Sequence, residues 1–334
     1  MRAVVLVGGF GTRLRPLTAA LPKQMLPVVG VPMIERVVAG LGAHGVTEAV
    51  LSLGYRPDAF LNAYPDGVCA GVILHYAVEP EPLDTAGAVR FAATSAGIDD
   101  TFIVVNGDVL TDLDVTALWN FHKSHGAEGT IALTPVDDPS RYGVVPIDDD
   151  GRVVAFVEKP APGTAPTNWI NAGTYVLEPS VLDRIDSRRK VSIERETFPD
   201  MVSAGCLYAL HSDAYWIDAG TPETYLRAQL DLIDGTRSSE TAVQVSDSID
   251  TSATVANSVL GADVVIGNGA VIRNSVVMDG VTIGPGVHIS DSIVAAGARI
   301  GPDSSIRDIS VVGAGVELPA HSELIGSRIP ESDD

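Results

Sequence analysis

The sequence predicts two architectures in series: an α/β domain built on a mostly parallel sheet, then a parallel β-helix of hexapeptide-type turns. Three observations predict this. Up to about Asp234, short β-rich apolar runs alternate with helix-like runs. From Ile249 the chain repeats itself every 17 residues. And the first apolar run leads directly into a glycine-rich turn, GGFGTR, as happens at the carboxyl end of a strand in such a sheet.

In chain order, AVVLV, EAVLSLG, GVILHYAV and TFIVVNGD read as strands, being short, apolar and rich in β-branched residues. Between them, 33–43 and 85–96 carry apolar residues three and four apart and read as helices. A sheet of this kind binds ligands beyond the carboxyl ends of its strands. Those positions hold GGFGTR after the first strand and Asn106, Gly107 and Asp108 after TFIVV. In the second half, Ile249, Ile266, Ile283 and Ile300 keep the period, as do Val255, Ile272, Ile289 and Ile306, and Leu260, Val277, Val294 and Val311. Three inward aliphatics per period, spaced six, five and six, describe a three-sided coil. Gly267, Gly284 and Gly301 recur in phase, and Asn257, Asn274, Asp291 and Asp308 suit corners with left-handed backbone. The expected boundaries are a first domain at 1–234, a polar linker at 235–246 (containing DGTRSSET) and a β-helix at 247–330.

The chain has 334 residues, 46% hydrophobic and 19% charged, enough for two packed cores. A net charge of −21 argues against a broad basic footprint for nucleic acid or an anionic membrane, and makes any local basic cluster conspicuous. Cys69 and Cys206 are far apart, give no disulfide framework or metal-ligand spacing, and read as reduced, mostly buried thiols. No targeting segment or membrane-length apolar run is visible, so a soluble cytoplasmic protein is expected.

The turn GGFGTRLRP lacks the glycine three residues after Gly11 that a dinucleotide fingerprint needs, and lacks the Gly-Lys-Ser/Thr of a phosphate loop. It combines backbone N–H donors with the guanidinium groups of Arg13 and Arg15. Both kinds of group grip phosphate oxygens. The other reading is a glycine turn with two solvated arginines.

With PKQMLP at 22–27, this stretch resembles the sugar-1-phosphate nucleotidyltransferases, and among them most closely the mannose-1-phosphate guanylyltransferases. The resemblance runs the length of the chain through PLDTAGAV (82–89), VVNGDVL (104–110), RYGVV (141–145), FVEKP (156–160), INAGTYVLEP (170–179), SIERETFP (192–199) and YWIDAGTPETY (215–225). It implies a Rossmann-like nucleotidyltransferase domain, a left-handed hand for the β-helix, and transfer of a nucleotidyl group from a nucleoside triphosphate to a sugar 1-phosphate. It also implies roles. Arg13 would hold the outer phosphates, Lys23 the region of the attacked phosphorus and Lys159 the sugar phosphate. Asp108 and Asp218 would hold Mg²⁺, whose preference for hard oxygens they suit. Leu6, Gly8, Gly9, Gly11, Thr12, Glu79, Leu83, Thr85 and Gly87 would line the nucleotide, and Gly143, Glu158, Asn171, Gly173 and Glu194 the sugar.

Guanine presents adjacent N1 and N2 donors, which one carboxylate accepts, so Glu79 or Glu81 is the expected reader of the base. Two positions depart from the family. Asp84 stands where the loop usually has glycine, and Gln24 replaces the proline common after the lysine in guanylyltransferases, as in many thymidylyltransferases. The leading expectation is GTP plus mannose 1-phosphate to GDP-mannose. The alternatives are another member of the family, such as a glucose-1-phosphate thymidylyltransferase, a nucleotide-sugar-sensing paralogue without activity, a structural scaffold, and a hexapeptide acyltransferase using His288 or His321. The expected partners are small-molecule substrates and further copies of the chain through the β-helix, with no nucleic acid and no membrane.

Overall fold

The computed structural model describes residues 1–54, 56–238, 240 and 248–331. Most of the expected linker, 239 and 241–246, lies outside the described residues. The chain divides into two compact units, one of Met1–Gly9 with Ile34–Trp216, the other of Phe10–Met33 with the chain from Ile217 onward.

In the first unit, β1 (Arg2–Leu6) is followed by α1 (Met33–Ala43), β2 (Glu48–Leu53), β3 (Val72–Val78), α2 (Asp84–Ser95) and β4 (Phe102–Asn106). The four strands run parallel in the order β4-β1-β2-β3. Ala3, Val4 and Val5 are each 0% exposed, so β1 is buried on both faces and reads as an unbroken apolar run rather than an alternating one. Val4, Val50 and Val104 pack with Ala86, Val89 and Ala92 of α2 in one core.

The sheet becomes mixed beyond β4. After α3 (Val115–His125), β5 (Gly129–Pro135) and β6 (Trp169–Leu177) pair antiparallel, and β6 also lies antiparallel to β4. β7 (Leu207–His211) runs parallel to β5 at the far edge. The helix α3 is capped by Asp114, whose Oδ1 accepts from Ala117 N at 2.9 Å, and ends at Gly126 in left-handed conformation. Burial, opposed by Glu178, lowers the His122 pKa, while Lys123, Thr101 and His122 outweigh burial at Glu178 and lower its pKa.

In the second unit, α4 (Pro222–Ile233) starts from a capping box on Thr221. The β-helix follows as three stacks of short parallel strands, each strand pairing with the one a coil later. Ile266, Ile272, Val277, Ile283, Ile289 and Val294 fill its interior. Cβ atoms on Gly267, Gly284 and Gly301 would lie 2.7, 2.8 and 2.4 Å from backbone of the next coil, which is why glycine recurs there. Asn257 Nδ2 donates to Asn274 Oδ1 at 3.0 Å and Asn274 Nδ2 to Asp291 Oδ1 at 3.1 Å, so one corner is a polar ladder.

The expected inward residue Val311 is corrected to Val312. Val294 pairs with Val312, and Val311 pairs with Ile293, one step out of the 17-residue period. The corner ahead of it holds an extra residue: Asp308 and Ile309 both have left-handed φ, 59° and 58°. The added residue moves every later side chain along by one, so Leu318 rather than Glu317 lies opposite Ile300 in phase and packs against the interior.

The outward residues of one stack, Val259, Val276, Ile293 and Val311, are at most 5% exposed. Pro27, Val29 and Gln229 line a shared cavity with Val259 and Val276 on this side. The Tyr225 hydroxyl donates to Pro27 O, and Gln229 Oε1 accepts from Val29 N at 3.1 Å. The segment 10–33 therefore packs with α4 and the β-helix. Among the described residues, no helix is long and apolar enough to cross a membrane.

Candidate functional site

The expected site residues fall into two groups, one in each unit.

In the first unit, Gly8 and Gly9 leave the end of β1. Both are exposed, and among the described residues a Cβ on either would meet nothing within 4 Å, so the turn leaves its backbone open. Val7 N donates to Ser52 O, extending the parallel pairing one residue beyond β1. Leu6, the last residue of β1, is half-buried, and its carbonyl accepts from Gly107 N at 2.9 Å. A Cβ at Gly107 would lie 3.0 Å from that same carbonyl oxygen, so glycine lets the turn carrying Asp108 approach β1. Asp108 is half-buried.

Glu79 follows β3, and its carboxylate is held from two sides. Oε1 accepts from Ser52 Oγ and Oε2 from Leu83 N, each at 3.1 Å. Each oxygen has a second acceptor site, so the group is oriented without being exhausted. Glu81 is exposed. The start of α2 is tied to the segment 191–194. Val191 O accepts from Ala86 N and Gly87 N, and Val191 N donates to Leu83 O. Thr85 Oγ1 donates to Glu194 Oε2 at 2.7 Å and accepts from Ile193 N at 2.8 Å. Ser192 Oγ also donates to Glu194, at 2.8 Å. Leu83, Thr85, Gly87 and Glu194 thus form one hydrogen-bonded corner.

Asp84 has φ +63°, a left-handed conformation that favours glycine and tolerates aspartate. Its Oδ1 accepts from Thr85 N at 2.8 Å. Aspartate thus adopts a turn that glycine favours, and its side chain holds it.

The expected sugar residues gather at the β6 end of the sheet. A bulge interrupts β6 between Asn171 and Tyr175. Asn171 Oδ1 accepts from Gly173 N, and its Nδ2 donates to Tyr175 Oη, both at 2.9 Å. Burial, then the charge of Glu194, push the Tyr175 phenol pKa up against that hydrogen bond, so it stays neutral. Gly173 has φ +73°, and a Cβ there would lie 2.6 Å from Asn106 Nδ2. Trp216 Nε1 donates to Ala172 O at 2.8 Å, fixing the bulge from outside. Glu158 pairs with Gly143 across a short antiparallel bridge, and its Oε1 is 3.0 Å from Lys159 Nζ. Lys159 also has left-handed φ, 48°, and its N–H donates to Tyr142 O.

In the second unit, Gly11 has φ +61° and opens a single 3₁₀ turn, Thr12–Leu14. Thr18 Oγ1 donates to Gly11 O at 2.8 Å. A Cβ on Gly11 would lie 3.0 Å from Thr18 Cγ2 and 3.4 Å from Lys23 Cβ, so Lys23 is stacked beside the turn. Leu14 is 0% exposed and anchors the turn, while Thr12 and Arg13 stand exposed. Asp218 closes the strand Trp216–Asp218, and the buried Gly220 follows it. A Cβ on Gly220 would lie 2.8 Å from Asp218 Oδ1 and 3.0 Å from Arg13 Nη2. A guanidinium and a carboxylate, 205 residues apart in the chain, thus share one glycine surface.

Sequence reasoning missed Ser52, Thr18, Tyr175 and Trp216 as residues that orient the expected set. The bonds of Ser52 and Trp216 are long-range, that of Tyr175 depends on a bulge and that of Thr18 closes a turn seven residues back, and no local pattern announces any of them. His288 and His321 are exposed on the β-helix. Cys69 and Cys206 are free thiols, with pKa values raised first by burial. Among the described residues, no three His, Cys, Asp or Glu side chains gather to hold a metal by themselves. Asp108 and Asp218 each carry a carboxylate, the hard-oxygen donor that a cation such as Mg²⁺ prefers, and that cation also takes oxygens from phosphate and water.

A family described as nucleotidyl transferase matches residues 2–235, and a family described as EIF2B subunit epsilon LbH domain matches 223–324. The chain is 44% identical over 235 residues to a mannose-1-phosphate guanylyltransferase of Mycobacterium tuberculosis, covering 70% of this chain and 65% of that one. It is 41% identical over 281 residues to mannose-1-phosphate guanylyltransferase 1 of Arabidopsis thaliana, covering 80% and 77%. The matched part thus spans a little under two thirds of the first relative's length. Among solved structures, HddC from Yersinia pseudotuberculosis complexed with GMP-PN aligns with TM-score 0.59 and 33% identity, over 68% of this chain and 97% of that chain. The open glycine turn after β1, the aspartate turn packed on it and the match over 2–235 agree: the chain belongs to the nucleotidyl transferase family and continues into a left-handed β-helix.

Proposed function

We propose that the chain transfers a guanylyl group from GTP to mannose 1-phosphate, giving GDP-mannose and pyrophosphate. The observation that carries this reading is the Thr12–Leu14 turn, where Arg13 stands beside Asp218 over Gly220 and Lys23 packs against Gly11. Relatives 41–47% identical and named for this reaction support the choice of substrates, as does HddC having been crystallised with GMP-PN.

The attacking atom is a phosphate oxygen with a second pKa of about 6, so the acceptor is already anionic at neutral pH and needs no general base. Catalysis is then positioning and charge compensation. The open backbone of Gly8, Gly9, Gly11 and Thr12 approaches the triphosphate. Arg13 grips the outer phosphates through its planar fork and stabilises the departing pyrophosphate. Lys23 neutralises charge at the attacked phosphate, and Lys159 holds the sugar phosphate. Asp108 and Asp218 would hold Mg²⁺, which supplies Lewis-acid polarisation of phosphate oxygens when bound. The Glu79 carboxylate, already oriented by Ser52 and Leu83, accepts from the guanine N1 and N2 donors. Leu6, Leu83, Thr85 and Gly87 shape the base pocket. Gly143, Glu158, Asn171, Gly173 and Glu194 receive the sugar.

Residues 1–234 perform the transfer in this reading, 235–246 link, and the β-helix at 247–330 mediates assembly of copies of the chain. The base assignment is tested by Glu79→Gln. A shift of preference from GTP toward dTTP is expected, and an unchanged ratio would remove Glu79 from base selection.

A further inference from the structure

The turn that carries Arg13 is held from the last coils of the β-helix. Its three successive carbonyls are all accounted for. Gly11 O accepts from Leu14 N and Thr18 Oγ1, Thr12 O accepts from Arg15 N, and Arg13 O accepts from Arg328 Nη1 at 2.9 Å. The first two partners are local. The third comes from 315 residues away, on the strand Arg328–Ile329. That strand pairs with Val311–Val312 of the preceding coil, and the residue after it, Gly313, abuts the same turn. A Cβ on Gly313 would lie 3.1 Å from Pro16 Cβ. Two contacts from adjacent coils, one charged hydrogen bond and one close apolar approach, therefore bracket residues 13–16.

We propose that these terminal coils are the seat of the Arg13 turn and that Arg328 is a positioning residue for nucleoside triphosphate binding. The inference rests on the functional reading of Arg13 given above. The peptide whose carbonyl Arg328 holds is the one joining Arg13 to Leu14. The Leu14 N–H of the same peptide donates to Gly11 O, so both of its polar atoms are held. Leu14 is fully buried and Arg13 is exposed, so this peptide anchors the backbone from which the guanidinium projects. A charge-assisted hydrogen bond to its carbonyl stiffens that anchor. The β-helix thereby governs how well the phosphate-gripping side chain is pre-organised, in addition to any part in assembly.

The test is Arg328→Ala and Arg328→Lys in the full chain, with hydrogen–deuterium exchange of residues 10–16 read beside binding of GTP and steady-state kinetics. In Arg328→Ala, exchange at 10–16 should rise while the other β-helix coils stay protected. The GTP Kd and KM should rise about 3- to 10-fold, with the sugar-phosphate KM within about two-fold of the parent. Arg328→Lys, which retains a charged donor, should recover part of the loss. Unchanged exchange and GTP affinity would overturn the proposal. So would an equal loss for both substrates with general loss of protection, which is the mark of a structural role alone. A parent chain that binds no nucleoside triphosphate would overturn the functional reading and this proposal together, and is distinguished because it shows before any substitution.

Discussion

Arg13 and Asp218 meet over Gly220, with Nη2 and Oδ1 placed 3.0 and 2.8 Å from where a Cβ on that glycine would lie. The surface there is bare because a side chain would displace one of the two. Gly220→Ala should therefore lower turnover by about 10- to 100-fold by moving a charged group off its position. The Arg13 guanidinium, the mobile end of an exposed side chain, gives way readily, whereas the shorter Asp218 carboxylate at 2.8 Å has to shift, so a modest loss of stability accompanies the loss of turnover. Wild-type turnover in Gly220→Ala would remove this pair from the reaction.

Gly143 has the same character on the sugar side. A Cβ there would lie 2.6 Å from Phe156 Cζ and 3.1 Å from Glu158 Oε2. Gly143→Ala should push the Phe156 ring aside and crowd Glu158, raising the KM for sugar phosphate by about 10-fold or more and leaving the KM for GTP near the parent value. Equal effects on the two substrates would contradict the assignment.

Gln24 is 0% exposed, and among the described residues neither its Nε2 nor its Oε1 has a hydrogen-bond partner. A buried amide without partners costs about 1–3 kcal/mol. Gln24→Met, close in volume and without the polar atoms, should raise the denaturant midpoint correspondingly. A lower midpoint would mean that the amide is satisfied in solution.

His122 and Glu178 set a pH dependence of stability. Burial, working against the hydrogen bond and charge of Glu178, holds the His122 pKa below 6.5 in the fold. The unfolded chain then binds this proton first, so stability is complete above about pH 6.5 and declines as the pH falls below it. Burial would raise the Glu178 pKa, but hydrogen bonds from Lys123, Thr101 and His122 prevail and hold it below 4.5. Its contribution is present above 4.5 and is lost as the pH falls through the lower folded value. Chemical denaturation between pH 7 and 4 should show one continuous loss, and His122→Gln should flatten its upper part. A slope unchanged in His122→Gln would reject this account.

The sequence made the main architecture legible because both halves are periodic. Alternating apolar runs located β1 to β4, and the 17-residue repeat located the coils. The slip at Asp308 and Ile309 was not legible, because Val311 and Val312 are both valines and the pattern tolerates either phase. Nor was the grouping of residues 10–33 with the β-helix, which depends on contacts such as Arg328 with Arg13. At the site, residue types that serve phosphate chemistry stood out against an acidic chain. What orients them did not. Asn171 shapes its bulge through Tyr175, and Glu79 is held by Ser52, and neither pairing follows from local spacing.

The most direct measurement is pyrophosphate release over a grid crossing GTP, dTTP, UTP, ATP and CTP with mannose 1-phosphate, glucose 1-phosphate and other sugar phosphates. Mg²⁺ is present throughout, and Asp108→Asn serves as the control. The account predicts the strongest release from GTP with mannose 1-phosphate, lost in Asp108→Asn. No release from any pair, with nucleotide-sugar binding intact, would contradict it and identify a sensor in place of a transferase.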